Sequence, residues 1–281
     1  MLNIEDFYSG IALTENPLKA STFVLHMREK EANNSAKQLV VIGKHPVIDL
    51  LQNGKPVQKV FILRTLKGPT EIDVRRLTSE ANIPLSRVDN YKLDKLAHNK
   101  NHQGLVALTS PVAFQNIEDI IPHIYESNET PLLLILDHVT DVRNFGAIAR
   151  SALAMGVHAI IIPSKGTAAI NKDAIKSSAG AILDIPICRM SNLVDAIQYL
   201  KDSGIASYSS TLRDSKNISE IDFTSPTAIV IGSEDHGVDN TVIKASDGLL
   251  KIPQSDAVDS LNVSVATGII LYEVNRQRSS S

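Results

Sequence analysis

Three polar loops contain the residues of this chain that are best placed by type and spacing to do chemistry. Each loop directly follows a continuous apolar run, LLLILD, TAIVIG or LLKIP. The loops read DHVTDVRNFGAIAR (137–150), GSEDHGV (232–238) and PQSDAVDSLNVS (253–264). Because ligands bind at the carboxyl ends of the strands in parallel α/β sheets, we expect these loops to form the functional site.

Several familiar kinds of site are excluded by the same loops. No G-x-G-x-x-G follows a predicted strand, and GSEDHG lacks the Lys and Ser/Thr that complete a phosphate-binding P-loop. The eight histidines and the single cysteine show no metal-ligand spacing, so no metal is expected. Ser260 does not lie in a nucleophile-elbow context, which argues against a serine hydrolase.

The elements that must position the loops alternate between strands and helices. From residue 131 onward, apolar runs typical of buried strands are separated by helical segments such as NFGAIARSALAMG and NLVDAIQYLKDSG. This alternation predicts an α/β fold with an open, mostly parallel sheet flanked by helices. The closing segment, 260–278, is rich in β-branched residues but has no breaker over nineteen residues, so we predict a helix there.

The chain divides into four parts by pattern and charge. Residues 1–38 are predicted as an N-terminal extension, 39–110 as a small basic α/β domain, 111–130 as an acidic linker and 131–281 as the larger α/β domain. The small domain has eleven Lys or Arg against six Asp or Glu, although the whole chain carries a net charge of −3. A polyanionic partner for the small domain and an ordinary solvated surface explain this excess equally well.

Composition also bears on the compartment. The single Cys188 excludes a disulfide framework and fits a reducing environment. The N-terminus MLNIEDFYSG is not typical of a secretory signal, and no apolar run of about 18 residues is present. We therefore expect a cytoplasmic protein without a membrane partner.

Three motifs in order resemble one known family. They are DVRNFGAIARSA (141–152), IVIGSEDHGV (229–238) and IPQSDAVDSLNVSVATGIILYE (252–273), and they resemble the SpoU/TrmH branch of the SPOUT superfamily of RNA ribose 2′-O-methyltransferases. VIGKHPVIDLLQNG (41–54) and HQGLVAL (102–108) resemble the RNA-binding domain of the members that modify large-subunit ribosomal RNA.

The resemblance implies a fold, a reaction and partners. The fold would contain a deep trefoil knot, the closing helix would pack against a second subunit, and the protein would be a homodimer. The reaction would be S-adenosylmethionine-dependent 2′-O-methylation of a guanosine in large-subunit (23S-type) ribosomal RNA. A transfer-RNA methyltransferase and a catalytically idle RNA-binding factor of ribosome assembly remain alternatives.

The resemblance also assigns residues to roles. The implied cofactor-binding residues are Thr211, Gly232, Ile252, Gln254 and Leu261. The implied catalytic residues are Asn144, Arg150, Glu234, Ser260 and Asn262.

Some of these assignments have alternatives. Asn144 and Ser260 are also good helix caps. Arg150 acts either as a base with a depressed pKa or as a permanent charge that stabilises the nascent alkoxide. Gln254, Asp235 and Asp256 depart from the residues common in the family, which bears on loop geometry and cofactor affinity.

Overall fold

The computed structural model describes residues 40–212, 215–255 and 260–279. The predicted N-terminal extension, residues 1–38, and Asp256 lie outside these ranges. The described residues form two sheets, one of four strands and one of eight.

The four-stranded sheet belongs to the small basic part of the chain. Strand β2 lies between β4, to which it is antiparallel, and β3, to which it is parallel. Three helices accompany the sheet. The strands are β1 (Val40–Ile42), β2 (Val57–Leu63), β3 (Leu85–Val88) and β4 (Leu105–Thr109), and the helices are α1 (Lys44–Gln52), α2 (Pro69–Glu80) and α3 (Asn90–Leu96).

The two N-terminal segments that resemble the RNA-binding domain lie against each other. His102 is buried, and its Nδ1 accepts a hydrogen bond of 2.9 Å from the Gly104 amide. The Lys44 amide donates to Gln103 Oε1 at 3.4 Å, and the Gly43 amide donates to the Leu105 carbonyl. The start of α1 is therefore fixed to the turn that leads into β4.

The eight-stranded sheet is parallel at every pair of neighbouring strands. This confirms the predicted parallel α/β sheet. The order is β10-β12-β9-β11-β6-β7-β8-β5 for strands β5 (Phe114–Gln115), β6 (Leu132–Asp137), β7 (Ala159–Pro163), β8 (Ile187–Met190), β9 (Ala206–Ser210), β10 (Lys216–Asn217), β11 (Thr227–Gly232) and β12 (Gly248–Lys251).

Helices cover both faces of this sheet because its central strands are apolar on both sides. In β6, Leu134 and Leu136 pack on one face with α5 and α9, whereas Leu133 and Ile135 pack on the other face with α4 and α7. The helices are α4 (Ile117–Glu126), α5 (Val142–Ala154), α6 (Lys172–Ser177), α7 (Leu193–Asp202), α8 (Asn240–Ala245) and α9 (Val263–Ser279).

Residues 111–130 are not the acidic linker that their charge predicts. They form β5, which pairs with β8, and α4, which packs into the core of the large sheet. Ile117, Ile120, Ile121 and Ile124 are all buried, and their spacing is that of one apolar helix face. Three of the four acidic residues are exposed on α4 and the fourth, Glu129, follows it, so the net charge of −4 describes only the exposed part of this segment.

The closing segment is helical, as predicted, because packing outweighs its β-branched composition. One side of α9 buries Val263, Thr267, Ile270, Leu271 and Val274. The opposite side exposes Val265, Ile269 and Tyr272, with Tyr272 at 59 %. No atom lies within 4 Å of the position that a side chain at Gly268 would occupy.

The trefoil knot that the family resemblance implies stays a prediction. Among the described residues, no helix combines the length and the apolar character needed to cross a bilayer.

Candidate active site

A cavity of about 590 Å³ lies at the carboxyl ends of β9, β11 and β12. Two of the three polar loops form its wall together with the residues that follow β9. All five residues predicted to bind the cofactor line it, namely Thr211, Gly232, Ile252, Gln254 and Leu261. Glu234 and Ser260 from the predicted catalytic set line it as well.

Gly232 is required by the way the loop after β11 folds back. A Cβ atom at this position would lie 1.9 Å from the carbonyl carbon of Gly237 and 2.1 Å from the Val238 nitrogen. The tight turn is closed by two backbone hydrogen bonds between Ser233 and Gly237. Any side chain at residue 232 would therefore displace the loop that carries Glu234.

Three of the predicted catalytic side chains meet in one hydrogen-bonded cluster. Glu234 Oε1 accepts from Asn144 Nδ2 at 3.1 Å and from Asn262 Nδ2 at 2.5 Å. The Asn262 amide also donates to Asn144 Oδ1 at 3.1 Å. The cluster joins all three polar loops, so its geometry depends on the whole sheet edge.

The N-terminus of α9 helps to hold this cluster in place. The Val263 amide, at the first turn of α9, donates to Glu234 Oε1 at 3.3 Å. A carboxylate is stabilised at a helix N-terminus by the free amides and by the helix dipole. Glu234 is thereby held by a charge-assisted hydrogen bond as well as by two side-chain amides.

The two helices at the site are capped by Asp141 and Asn262, not by Asn144 and Ser260, the two predicted catalytic residues that are also good helix caps. Asp141 caps α5 by accepting from the Asn144 amide at 2.8 Å. Asn262 caps α9, because its Oδ1 accepts from the Ser264 amide at 3.0 Å. The Asn144 side chain is therefore free of a capping role, and Ser260 lines the cavity without capping α9.

Two of the five predicted catalytic residues lie outside the cluster: Ser260, which lines the cavity, and Arg150. Arg150 is exposed on α5, six residues after Asn144. That separation corresponds to about 9 Å along the helix and about 240° around it. Within the described residues, no hydrogen bond or ion pair joins Arg150 to the cluster.

Asp137 is a residue of the site that reasoning from the sequence missed. Its carboxylate is buried at the end of β6, where Oδ2 accepts from the Asp239 amide at 2.7 Å and Oδ1 lies 2.5 Å from His138 Nδ1. Asp137 therefore anchors the end of the loop that carries Glu234. The sequence does offer one signal for this role, because Asp137 ends an otherwise apolar strand and a buried carboxylate needs hydrogen-bond partners.

Comparison with known proteins gives two family matches that together span both sheets. Residues 131–272 match the SpoU rRNA Methylase family, and residues 40–115 match a domain described as RNA 2′-O ribose methyltransferase substrate binding. The chain belongs to the SpoU rRNA methylase family. The family resemblance predicted from the ordered motifs is confirmed.

Relatives of this SpoU family chain are described in several bacteria. A putative TrmH family tRNA/rRNA methyltransferase, YacO of Bacillus subtilis, is 35% identical over 85% of this chain and 95% of its own length. An uncharacterized tRNA/rRNA methyltransferase of Synechocystis is 33% identical over 85% of this chain, which spans 62% of that relative.

Solved structures of SpoU proteins have the same fold. The AdoMet-bound rRNA methyltransferase of Sinorhizobium meliloti aligns with a TM-score of 0.55 and 25% identity over 93% of this chain and 95% of its own. The SpoU methyltransferase AviRb of Streptomyces viridochromogenes aligns with the same TM-score and 23% identity, over 89% of this chain and 93% of its own.

The polar side chains of the cluster are amides and one carboxylate. Within residues 40–212, 215–255 and 260–279, no group of three or more His, Cys, Asp or Glu side chains is placed to hold a metal ion. The cluster instead combines one carboxylate with two amides beside a partly apolar cavity.

Proposed function

We propose that this SpoU family chain transfers a methyl group from S-adenosylmethionine to a ribose 2′-hydroxyl, in a guanosine of large-subunit ribosomal RNA. The observation that carries the proposal is the Asn144–Glu234–Asn262 cluster at the edge of the cavity. It joins all three family motifs at one point. We place this activity in the cytoplasm.

The cavity has the size and lining that S-adenosylmethionine needs. Small-molecule sites typically measure about 300–1,000 Å³ and combine apolar walls with a few polar groups. Here Ile252 and Leu261 supply apolar surface, while Thr211 and Gln254 supply polar groups. When bound, S-adenosylmethionine supplies the activated methyl group.

The cluster's contribution is alignment of the ribose. The two amides and the Val263 amide fix Glu234 through Oε1. No described residue donates to Glu234 Oε2, so this oxygen is available to a ribose hydroxyl. Correct alignment of two reactants is worth up to about 7–11 kcal/mol of the barrier.

Arg150 reaches the cluster from a second copy of the chain in this proposal. The supporting observation is the exposed apolar stripe of Val265, Ile269 and Tyr272 on α9. Helix α9 packs against α5, on which Leu153 is also exposed. A homodimer that buries this stripe brings Arg150 of one copy to Glu234 of the other. Because a guanidinium carries a positive charge and only hydrogen-bond donors, we assign it the role of stabilising the alkoxide.

We infer ribosomal RNA rather than transfer RNA because segments 41–54 and 102–108 of the small sheet resemble the RNA-binding domain of the members that modify large-subunit ribosomal RNA. Residues 39–110 carry the positive excess, and residues 40–115 match the RNA 2′-O ribose methyltransferase substrate-binding domain. We propose the division into a small RNA-binding domain, 39–110, and a catalytic domain, 131–281. Residues 111–130 belong structurally with the catalytic part.

Two measurements test this function. Calorimetry with S-adenosylmethionine is expected to show binding, and absence of binding would favour an idle assembly factor. Incubation of the full chain with labelled S-adenosylmethionine and unmodified ribosomal or transfer RNA, followed by mapping of 2′-O-methyl marks, is expected to mark a guanosine of large-subunit RNA. Marks confined to transfer RNA would overturn the substrate assignment.

A further inference from the structure

A buried arginine joins the two sheets where β2 meets β8 and β5, and we call this contact the seam. Arg189, on β8, is only 4 % exposed, and its Nη1 donates to the Val57 carbonyl of β2 at 3.0 Å. The guanidinium carbon lies 3.3 Å from the ring centroid of Phe114. This contact fixes β2 of the small sheet against one end of the large sheet.

The same seam brings lysines from the two sheets together. Lys59 lies two residues after Val57, the acceptor of the Arg189 hydrogen bond. Ile162, on β7, pairs in register with Arg189, and Lys165 follows Ile162 by three residues. Lys59 and Lys165 therefore project from positions close to the same buried contact.

A third lysine completes the group. The Lys59 ammonium lies 5.3 Å from the ring centroid of Phe61, and the Lys92 ammonium lies 5.8 Å from the same centroid. Burial, together with the charges of Lys92 and Lys165, lowers the pKa of Lys59. We call Lys59, Lys92 and Lys165 the seam lysines.

The seam lysines have no acidic partners, unlike other cations of the small sheet. In the part of the chain that the structure describes, no carboxylate forms an ion pair with any of them. Arg75 and Arg87 pair with Glu71, and Arg76 pairs with Glu80. Three like charges held close together without compensation suit a polyanionic ligand, since they repel one another in its absence.

One of the seam lysines, Lys165, lies at the edge of the large sheet that carries the cluster. Lys165 follows the carboxyl end of β7, and β6 lies between β7 and β11, so its loop is about 10 Å from the end of β11. Gly166 packs against His138, where a Cβ would meet Cδ2 at 2.6 Å. The loop that carries Lys165 therefore packs against the loop that carries His138 and Asn144.

We propose that the seam lysines bind the phosphate backbone of the RNA strand a few nucleotides away from the ribose that is methylated. The proposal rests on the proposed function. Lysine ammonium groups on flexible stems bind phosphates as point charges, so the site holds the strand without reading its bases. Because the site spans both sheets, the path of the bound RNA strand also depends on the relative orientation of the two sheets.

The test measures binding of the full chain to a labelled oligouridine over a series of salt concentrations. Each lysine that no longer binds a phosphate of a single strand lowers the slope of log affinity against log salt by about 0.7, so Lys59→Gln/Lys92→Gln/Lys165→Gln is expected to lower it by about 2. The matched control, Arg75→Gln/Arg76→Gln/Arg87→Gln, removes the same charge from paired side chains. We expect its slope to stay close to that of the wild type.

The outcomes separate this site from the proposed function. An unchanged slope in the lysine variant, or equal reductions in both variants, would overturn the site even if the wild type methylates RNA. A reduced slope only in the lysine variant would support it even if the wild type methylates no RNA. Thermal unfolding and calorimetry with S-adenosylmethionine verify that both variants fold.

Discussion

Asn262 Nδ2 lies 3.1 Å from Asn144 Oδ1, although the two residues are 118 positions apart in the chain. Asn144 stands in the first turn of α5 and Asn262 directly precedes α9, so the contact couples the starts of two helices. Both side chains donate to the same oxygen of Glu234. The carboxylate is thus the common acceptor on which the geometry of the cluster depends.

Glu234→Gln is expected to reduce methyl transfer strongly while S-adenosylmethionine still binds. A glutamine keeps one neutral oxygen, so the hydrogen bond from the Val263 amide loses its charge assistance and the second carboxylate oxygen, assigned to the ribose, is replaced by an NH₂ group. Displacement of a catalytic group by about 1 Å costs about 10²-fold in rate, and we expect a reduction of this size in kcat. Single-turnover kinetics on ribosomal RNA measures it.

Asp235→Asn is the matched control for that variant. Asp235 is the exposed neighbour of Glu234, and its replacement removes the same charge from the same loop. We expect activity within about twofold of the wild type, since surface substitutions away from structural contacts change little. Equal reductions in the two variants would mean that loop charge, rather than the cluster, sets the rate.

Asn262 has two separable roles, and paired variants distinguish them. Its Oδ1 caps α9, while its Nδ2 belongs to the cluster. Asn262→Ala is expected to lose the cap, about 1 kcal/mol of stability, and the activity as well. Asn262→Ser keeps a good capping oxygen, so we expect near-normal stability with low activity. Full activity in this variant would exclude a role for the Asn262 side-chain amide.

The sequence predicted the large sheet well because local and tertiary preferences agree there. Apolar runs such as LLLILD, at 132–137, are buried on both faces in the structure. Residues 111–130 were misread because their net charge averages over an apolar and an acidic face of α4. The closing helix was predicted despite its β-branched residues, from its length without a breaker.

The site was predictable in its residue types but not in its contacts. Motif order placed Glu234 and Asn262 near the cavity, yet their shared hydrogen bond depends on how strands far apart in sequence pair. Asp137 was missed because its role comes from a backbone amide more than 100 residues away, which no local pattern indicates. Arg150 cannot be placed at the cluster by one chain alone.

Subunit mixing tests whether Arg150 acts across a dimer. Arg150→Ala and Glu234→Gln are each expected to be inactive as homodimers. If Arg150 serves the neighbouring copy, equal amounts of freely exchanging subunits give half mixed dimers with one intact site each, so about a quarter of the activity returns. No recovery, with mixed dimers verified by native mass spectrometry, would place Arg150 in its own subunit's site, and an active Arg150→Ala homodimer would place it outside catalysis.

Asp137 is expected to control cofactor affinity through the loop that it anchors. In Asp137→Asn, one oxygen is replaced by an amide that cannot accept from both the Asp239 amide and His138. A polar side chain that is buried at residue 137 without one of its partners costs about 1–3 kcal/mol, so we expect a lower unfolding midpoint in denaturant and S-adenosylmethionine affinity reduced about tenfold. His138→Asn is the control, because asparagine tolerates the left-handed backbone at residue 138 and leaves the Asp239 contact intact. Affinity and stability unchanged in Asp137→Asn, or equally reduced in the control, would show that the loop is held by other contacts.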